Sequence, residues 1–401
     1  MDILYCTPIT SLEVYVISKR LAAFGTNIFS EMSRLAQEKG AVNLAQGFPD
    51  FDGPVEILEA AVKAIREGEN QYARSMGDSD LVESIAEKVF RHYRLSYDPY
   101  SEISVFAGAT EGMASTFLGL MNPGDEVIIF EPYYESYPAF AALAGAVPRY
   151  YTLRFPEFQI DIDELEECFS PRTRLLLLNT PHNPTGKVFS REELAGIAGL
   201  CEKYNVIIMT DEVYEHLTYD GTEHVPIATI EGARERTLTI SSMGKTFSLT
   251  GWRIGWVTGP AELVAAVQKA HQFLTFAPAS PLQAALATAL KVLGDDYYKK
   301  LREEYTERRS IMIDALKATG FNVSVPAGAY FILADFSELW GGDDVSFVRY
   351  LIERCSVAAI PPSVFYTRDP EEGTHLVRFV FCKQIATLSR VRQLLKEFSN
   401  S

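Results

Sequence analysis

From about residue 100 onward, short dense apolar runs alternate with longer amphipathic stretches. Ile103 to Ala107, Glu126 to Phe130, Arg174 to Leu178, Val206 to Thr210 and Thr237 to Ser241 are brief and mostly rich in Val, Ile and Leu, the mark of strands buried on both faces. Between them Glu111 to Met121, Tyr137 to Leu143 and Arg191 to Tyr204 read as helices. This alternation predicts an α/β fold, a mostly parallel sheet with helices on both faces. Ligands of such sheets collect at the carboxyl ends of the strands. Those ends carry Gly108 to Thr110, Asn179, Asp211 and Ser242.

Past Pro281 the pattern changes. A long helical region runs to about Thr319, interrupted near Gly294-Asp295. Strands are expected at Phe321 to Val325, Tyr330 to Ala334, Val357 to Ile360 and Val377 to Phe381, with a helix over Ser346 to Arg354 and a last one from about Ala386. The expected division is a large domain over 56–293 and a smaller αβ domain over 294–401, with 1–55 supplying an N-terminal arm and part of the small domain.

Composition narrows the function. Lys plus Arg is 37 against 53 for Asp plus Glu, a formal net charge of −16, so the surface repels nucleic acid and anionic lipid. Any anion site must be built locally from a few arginines. Cys6, Cys168, Cys201, Cys355 and Cys382 are odd in number and widely spaced, which fits a reducing cytoplasm and speaks against a metal site. No apolar run reaches the length of a membrane span. Met1 to Ser18 holds the apolar patch Val14 to Ile17 without a basic segment before it, and reads as an arm rather than a signal peptide.

The densest chemistry lies in Ser242-Met-Gly-Lys245 and, eight residues on, Arg253. A lysine among small and apolar residues, near cationic groups, has a lowered pKa and suits a Schiff base to an aldehyde cofactor. Ser242 and Arg253 would then hold a phosphate. Taken alone, such a lysine also fits a buried turn. Three further segments complete a pyridoxal phosphate site. Asn179-Thr-Pro-His-Asn-Pro-Thr-Gly186 is a rigid loop after four leucines, with Asn183 as donor. Asp211 ends a strand, where a carboxylate needs a cation such as a protonated pyridine, although a helix cap is the commoner use. Tyr214 is placed to donate to the cofactor's ring oxygen. Gly108-Ala-Thr-Glu-Gly112 opens a helix and can bring backbone N–H groups to an anion. Tyr134 offers a face to a flat ring, although a core or interface aromatic is the commoner use, and Arg378 in an apolar strand needs either a substrate carboxylate or a structural salt bridge.

Together these segments resemble the class I/II aminotransferases of fold type I, nearest the branch of kynurenine aminotransferase, glutamine transaminase K and methionine aminotransferase. Asn43-Leu-Ala-Gln-Gly-Phe-Pro-Asp-Phe51 and Gln71-Tyr72 are similar to that branch's substrate loop and to a tyrosine it sends into the neighbouring subunit. The resemblance implies a seven-stranded-type sheet sandwiched by helices and pyridoxal 5′-phosphate as cofactor. It implies Lys245 as attachment point and proton carrier, Asp211 at the pyridine nitrogen, and Asn183 and Tyr214 at the ring oxygen. Around the phosphate it implies Gly108, Ala109, Thr110, Ser242, Arg253 and a partner's Tyr72, with Tyr134 stacked on the ring. Gly47, Asn183 and Arg378 would hold the substrate. Ala45 and Ala109-Thr110 depart from the branch's usual glycine and Gly-Tyr, which bears on pocket shape.

The expected protein is a cytoplasmic homodimer that moves the amino group of a neutral, sulfur-containing or aromatic L-amino acid to a 2-oxo acid by a ping-pong mechanism. Phe48, Tyr133, Tyr134 and Phe276 are expected near the pocket. Two alternatives stay open: a β-lyase acting on cysteine conjugates or cystathionine, since the same scaffold can expel a β-leaving group, and a non-catalytic ligand-sensing module. The acidic N-terminal stretch leaves the second little room for a DNA-binding segment.

Overall fold

Strands form where the apolar runs predict them. The computed structural model describes residues 18–25 and 28–399; Cys6 and the patch Val14 to Ile17 lie outside them. In chain order the strands are β1 (Val42–Asn43), β2 (Ile103–Phe106), β3 (Glu126–Glu131), β4 (Val147–Thr152), β5 (Thr173–Asn179), β6 (Ile207–Asp211), β7 (Thr237–Ser242), β8 (Gly255–Thr258), β9 (Asn322–Val323), β10 (Phe331–Asp335), β11 (Val357–Ala358) and β12 (Leu376–Val380). Seven of them make the main sheet in the order β2-β8-β7-β6-β5-β3-β4. Only β8 runs antiparallel to its neighbours in that sheet.

Alternation along these strands sends side chains to two cores. Val127, Ile129, Leu175, Leu177 and Met209 face one apolar cluster, while Ile128, Phe130, Leu176, Leu178 and Ile208 face the other with Leu194 and Ile197 of the helix Arg191–Lys203. Burial on both faces is why the runs read as continuously apolar. Ser190 starts that helix with a reciprocal capping box to Glu193, worth ~1 kcal/mol. Register aligns the strand ends that matter: Asn179 pairs with Asp211, Asp211 with Ile240, and Ser242 with Gly255.

Two strands of the main sheet depart from expectation. β4 is an edge strand whose first residues alternate exposed and half-buried, and Pro148 sits where a missing donor is tolerated. β8 is only four residues, buried between β2 and β7, and carries a glycine at its start. A Cβ on Gly255 would lie 2.4 Å from the Ala109 backbone nitrogen, so glycine is required for β8 to reach the strand-helix turn at Gly108.

Toward the C-terminus a three-stranded antiparallel sheet, β12-β10-β9, sets Leu333 opposite Arg378. β1 pairs in parallel with β11, Val42 opposite Val357, so the N-terminal segment is tied to the C-terminal one. The long helix Asp295–Thr319 packs on Ile385–Ser399, whereas Ser280–Val292 packs on Val55–Glu67 and Ser79–Tyr93. The strands foreseen at Phe321 to Val325 and Val357 to Ile360 shrink to two residues each, with Ile360 bridging to Arg378 instead. No helix among the described residues is long and apolar enough to cross a membrane.

Candidate active site

At the carboxyl ends of β5, β6 and β7, closed over by residues of the substrate-loop segment and of β10 and β12, lies a cavity of about 320 Å³. Gly47, Ala109, Thr110, Tyr134, Asn183, Asp211, Tyr214, Ser242, Lys245, Arg253 and Arg378 all line it. Gly108 sits behind, as the residue before the helix Ala109–Leu120. Tyr72 is apart from the cavity in this chain. It is 87% exposed, and its ring meets the edge of Phe276 at 5.5 Å.

Asp211 ends β6, buried, with its carboxylate turned into the cavity. Tyr137 donates its hydroxyl to Oδ2 at 2.8 Å, and the Val213 backbone N–H reaches Oδ1 at 3.3 Å. Burial pushes this carboxyl up to about 6 despite both hydrogen bonds. The strand end itself is fixed by Asn179, whose amide donates to the Asp211 carbonyl at 2.8 Å and whose side-chain oxygen accepts from the Asn183 N–H at 2.7 Å. Beyond it, Glu215 forms a buried ion pair with Lys88 at 2.5 Å and accepts from Ser241 and Tyr93. Asp211 and Tyr214 are therefore held by a segment anchored on its far side.

Lys245 lies in the short helix Met243–Thr246 that follows β7. Its Nζ donates to the Tyr330 hydroxyl at 2.9 Å and faces the Gly47 carbonyl at 3.4 Å; Tyr330 also donates to that carbonyl. Desolvation lowers its pKa to about 8, the pull of Asp211 opposing and the nearby Arg253 and Arg378 assisting. Burial thus moves the acid and the amine of one cavity toward neutrality from opposite sides. Tyr214 packs edge-on against Tyr330 and Phe331, and its phenol is held protonated by burial.

The turn into the helix Ala109–Leu120 meets Arg253. Gly108 has φ +82°, a region favouring glycine, and a Cβ there would lie 2.5 Å from Nη2 of Arg253. Arg253, itself at φ +54°, donates to the Thr110 hydroxyl at 3.0 Å and the Thr250 carbonyl at 3.2 Å. Helix N–H groups, two hydroxyls and a guanidinium converging on one corner suit a phosphate dianion. On the opposite side Arg378 is buried, stacked on Phe29 and Phe331, with Nη2 on the Ala45 carbonyl at 2.6 Å and Nη1 on Asn183 Oδ1 at 3.3 Å. Its Nε has no partner, and no acidic side chain among the described residues pairs with it. Such a guanidinium, lowered to about 10 by burial, fits a carboxylate that the protein does not itself supply.

These features test the fit of pyridoxal phosphate. The cavity offers an anion corner at Gly108, Arg253 and Ser242, a buried carboxylate for a ring cation, a lowered amine within the same space, and a buried guanidinium whose Nε lacks a partner. The residues fit the group.

Phe48, Tyr133 and Phe276, expected near the pocket, do not line it. Tyr133 turns away to Thr367, Phe48 covers Lys383, and Phe276 lies on the exposed patch with Tyr72. Phe29, Phe331, Tyr134 and Tyr214 supply the aromatic lining instead, with Tyr330 buried behind it on Lys245. Tyr137 and Tyr330 are residues of the site missed by the sequence reading, whereas Asn179 was placed at its strand end without a role. Tyr137 has the one usable signal, a hydroxyl in an otherwise apolar helix three residues after Tyr134. No group of three or more His, Cys, Asp or Glu able to hold a metal ion occurs among the described residues.

Residues 39–393 match the family described as aminotransferase class I and II. The probable N-succinyldiaminopimelate aminotransferase DapC of Mycobacterium tuberculosis is 45% identical, covering 94% of this chain and 97% of the relative. Methionine aminotransferase of Escherichia coli is 40% identical over 94% and 97%. The solved structure of N-succinyldiaminopimelate aminotransferase from M. tuberculosis superposes with a TM-score of 0.92 at 44% identity, over 95% of this chain and 99% of that one.

Proposed function

Because the chain belongs to the class I and II aminotransferases, pyridoxal 5′-phosphate-dependent enzymes that move an amino group from an amino acid to a 2-oxo acid, we propose that its donor is a neutral, sulfur-containing or aromatic L-amino acid. The observation that carries this choice is the use of the cavity's cations. Arg253 serves the phosphate corner, Lys245 the chemistry and Arg378 the substrate α-carboxylate, and no further cation among the described lining residues remains for a second substrate carboxylate. The walls facing Arg378 are Phe29 and Phe331. A donor with added carboxylates, N-succinyldiaminopimelate included, finds no further cation for them among the described lining residues of this chain.

In this reading Gly108, Ala109, Thr110, Ser242 and Arg253 hold the phosphate, Tyr134 covers the ring, and Asn183 and Tyr214 meet its oxygen. When bound, the cofactor supplies covalent attachment of the amino group and an electron sink. The protein's residues do the rest. Asp211 keeps a proton on the ring nitrogen, because a pyridinium beside it relieves the burial of its charge. Arg378 and Gly47 orient the substrate so that its Cα–H faces Nζ of Lys245. With its pKa lowered to about 8, that amine has a far larger neutral fraction near neutral pH than an ordinary lysine, and in that form takes the Cα proton as a general base. Tyr330, donating to the Gly47 carbonyl and accepting from Nζ, fixes the lysine's position between turnovers.

The proposal extends to a homodimer in a reducing, cytoplasmic setting and to the domain division at about residues 55 and 293. Tyr72, Phe273, Leu274 and Phe276 form an exposed apolar group on one surface, which fits an interface that carries Tyr72 into a neighbour's phosphate corner. The four described cysteines are unpaired. The deciding experiment mixes cofactor-loaded protein with single L-amino acids, without acceptor, and follows the visible spectrum and the products. Stoichiometric 2-oxo acid from methionine, glutamine, kynurenine or phenylalanine is expected. Continuous pyruvate and ammonia from a cysteine conjugate, without such a half-turnover, would assign a lyase instead.

A further inference from the structure

Two residues that do not line the cavity meet behind its phosphate corner. Glu111 stands in the first turn of the helix Ala109–Leu120, one residue past Thr110. An acid at such a place commonly does no more than answer the helix dipole. Here both oxygens are committed: Oε2 accepts the Ala107 N–H, the first backbone donor beyond β2, at 2.5 Å, and Oε1 lies 2.7 Å from Nδ1 of His271. His271 comes from the helix Ala261–Leu274, which packs on the helix of Glu111. It is fully buried, with its ring edge-on to Phe106 at 4.7 Å and its Nε2 3.0 Å from the Ser75 carbonyl. A carbonyl can only accept, so Nε2 carries a proton, and the Nδ1–Oε1 contact holds one more between its two atoms. All four polar side-chain atoms of the pair are therefore in use.

We propose that Glu111 and His271 are positioning residues that hold the turn Ala107 to Thr110 in the shape that receives the cofactor phosphate. The turn has close neighbours on its other side. A Cβ on Gly108 would lie 2.5 Å from Nη2 of Arg253, and one on Gly255 2.4 Å from the Ala109 nitrogen, so a shift of the turn disturbs Ala109, Thr110 and Arg253 together. Glu111 grips the turn at its first N–H and, through His271, roots it in the Ser75 carbonyl. That root is itself fixed, because the next residue, Met76, accepts from the Val105 N–H of β2 at 3.0 Å. Without the pair, the buried Ala107 N–H loses its acceptor and the helix N–H groups lose their aim. The ring side of the cavity would be spared, since Tyr134, Asp211 and Lys245 follow or end other strands. Supporting contacts of this kind give a binding site its precision.

This rests on the reading of that corner as a phosphate site, and the test separates the two. Full-length protein freed of cofactor, as wild type, Glu111→Ala, Glu111→Gln and His271→Phe, is titrated by calorimetry with pyridoxal 5′-phosphate and with pyridoxal, which lacks the phosphate. Urea unfolding checks the fold of each. The preference for the phosphorylated form should fall about tenfold in Glu111→Ala and at least about threefold in His271→Phe, with affinity for pyridoxal unchanged. It should stay within about twofold of wild type in Glu111→Gln, whose amide can accept from Ala107 and donate to Nδ1 of His271. If Glu111→Ala does not fold, His271→Phe and Glu111→Gln still decide the matter. An unchanged preference in His271→Phe, an equal loss of affinity for both ligands, or a tenfold fall in Glu111→Gln overturns the positioning role. Wild-type protein that binds pyridoxal as tightly as its phosphate overturns the phosphate corner and this inference with it.

Discussion

Replacing Asp211 by asparagine should stabilise the cofactor-free protein at pH 8 while removing catalysis. The magnitude follows from burial. The carboxyl is raised from 3.8 to about 6, mainly by desolvation, which corresponds to about 3 kcal/mol of destabilisation once the group is ionised. The sign is opposite to that of a salt-bridged acid. Between pH 3.8 and about 6 the folded state binds more protons than the unfolded one, so stability falls as pH rises through that window and is flat above it. Asparagine removes the charge. Its single oxygen can still accept from the Tyr137 hydroxyl, but the 3.3 Å bond from the Val213 N–H is lost, at ~1 kcal/mol. The net gain is ~2 kcal/mol at pH 8, shrinking to nothing and reversing at about pH 4 to 5. Urea unfolding of both apoproteins across pH 4 to 8 measures it. Cofactor should reverse the order at pH 8, because a ring cation compensates the aspartate and not the amide. An apo variant weaker than wild type at pH 8, or a gap indifferent to pH, would refute the reasoning.

Three further substitutions address the other corners of the site. Lys245→Ala should leave the fold intact by circular dichroism and lower kcat by about 10⁴-fold or more, since both covalent attachment and the general base are lost; appreciable turnover would remove the lysine from its assigned role. Gly108→Ala combines a positive φ with a Cβ 2.5 Å from Arg253, and should cost ~1–2 kcal/mol of stability and weaken cofactor affinity about tenfold, read from equilibrium dialysis. Arg378→Lys loses the planar fork and the stacking on Phe29 and Phe331. It should lower kcat/KM for amino acids about 10²-fold, mostly through KM, with little effect on amines that lack the carboxylate.

Which parts of this molecule are legible in its sequence follows from which forces act locally. β3, β5 and β6 are evident because burial on both faces demands unbroken Val, Ile and Leu. β4 escapes detection because an edge strand half in water tolerates Arg149, Tyr150 and a proline. The four-residue β8 is defined by its neighbours and by the close approach that Gly255 allows, neither of which is written in its composition. The same divide runs through the site. Lys245, Arg253, Asp211 and Asn183 stand in recognisable contexts at strand ends, and all line the cavity. Tyr330 acts through a tertiary contact, lying 85 residues from the lysine it positions, and no local pattern announces such a partner. Phe48, Tyr133 and Phe276 err the other way, because an aromatic near a site in sequence can turn to the opposite face of its segment.

The acid and the base of this cavity show why its burial serves chemistry rather than stability. One environment raises Asp211 to about 6 and lowers Lys245 to about 8, leaving both closer to neutrality than their free forms. For each group the folded apoprotein is destabilised in the pH range where the group would be charged in the unfolded chain. Their mutual attraction appears among the causes of both shifts and is too weak to cancel desolvation. A protein selected for stability alone would bring the pair together, as Lys88 and Glu215 are brought to 2.5 Å on the far side of the same segment. Instead Asp211 is held by Tyr137 and Lys245 by Tyr330, neutral hydroxyls that fix position without neutralising charge. In the proposed site Asp211 and Lys245 would hold the cofactor between them, which would supply the cation that Asp211 lacks and a carbonyl for the lysine amine, more readily deprotonated here than in water. Pairing within the protein would suppress both proposed functions, and the desolvation left uncompensated by such pairing would favour cofactor affinity and reactivity.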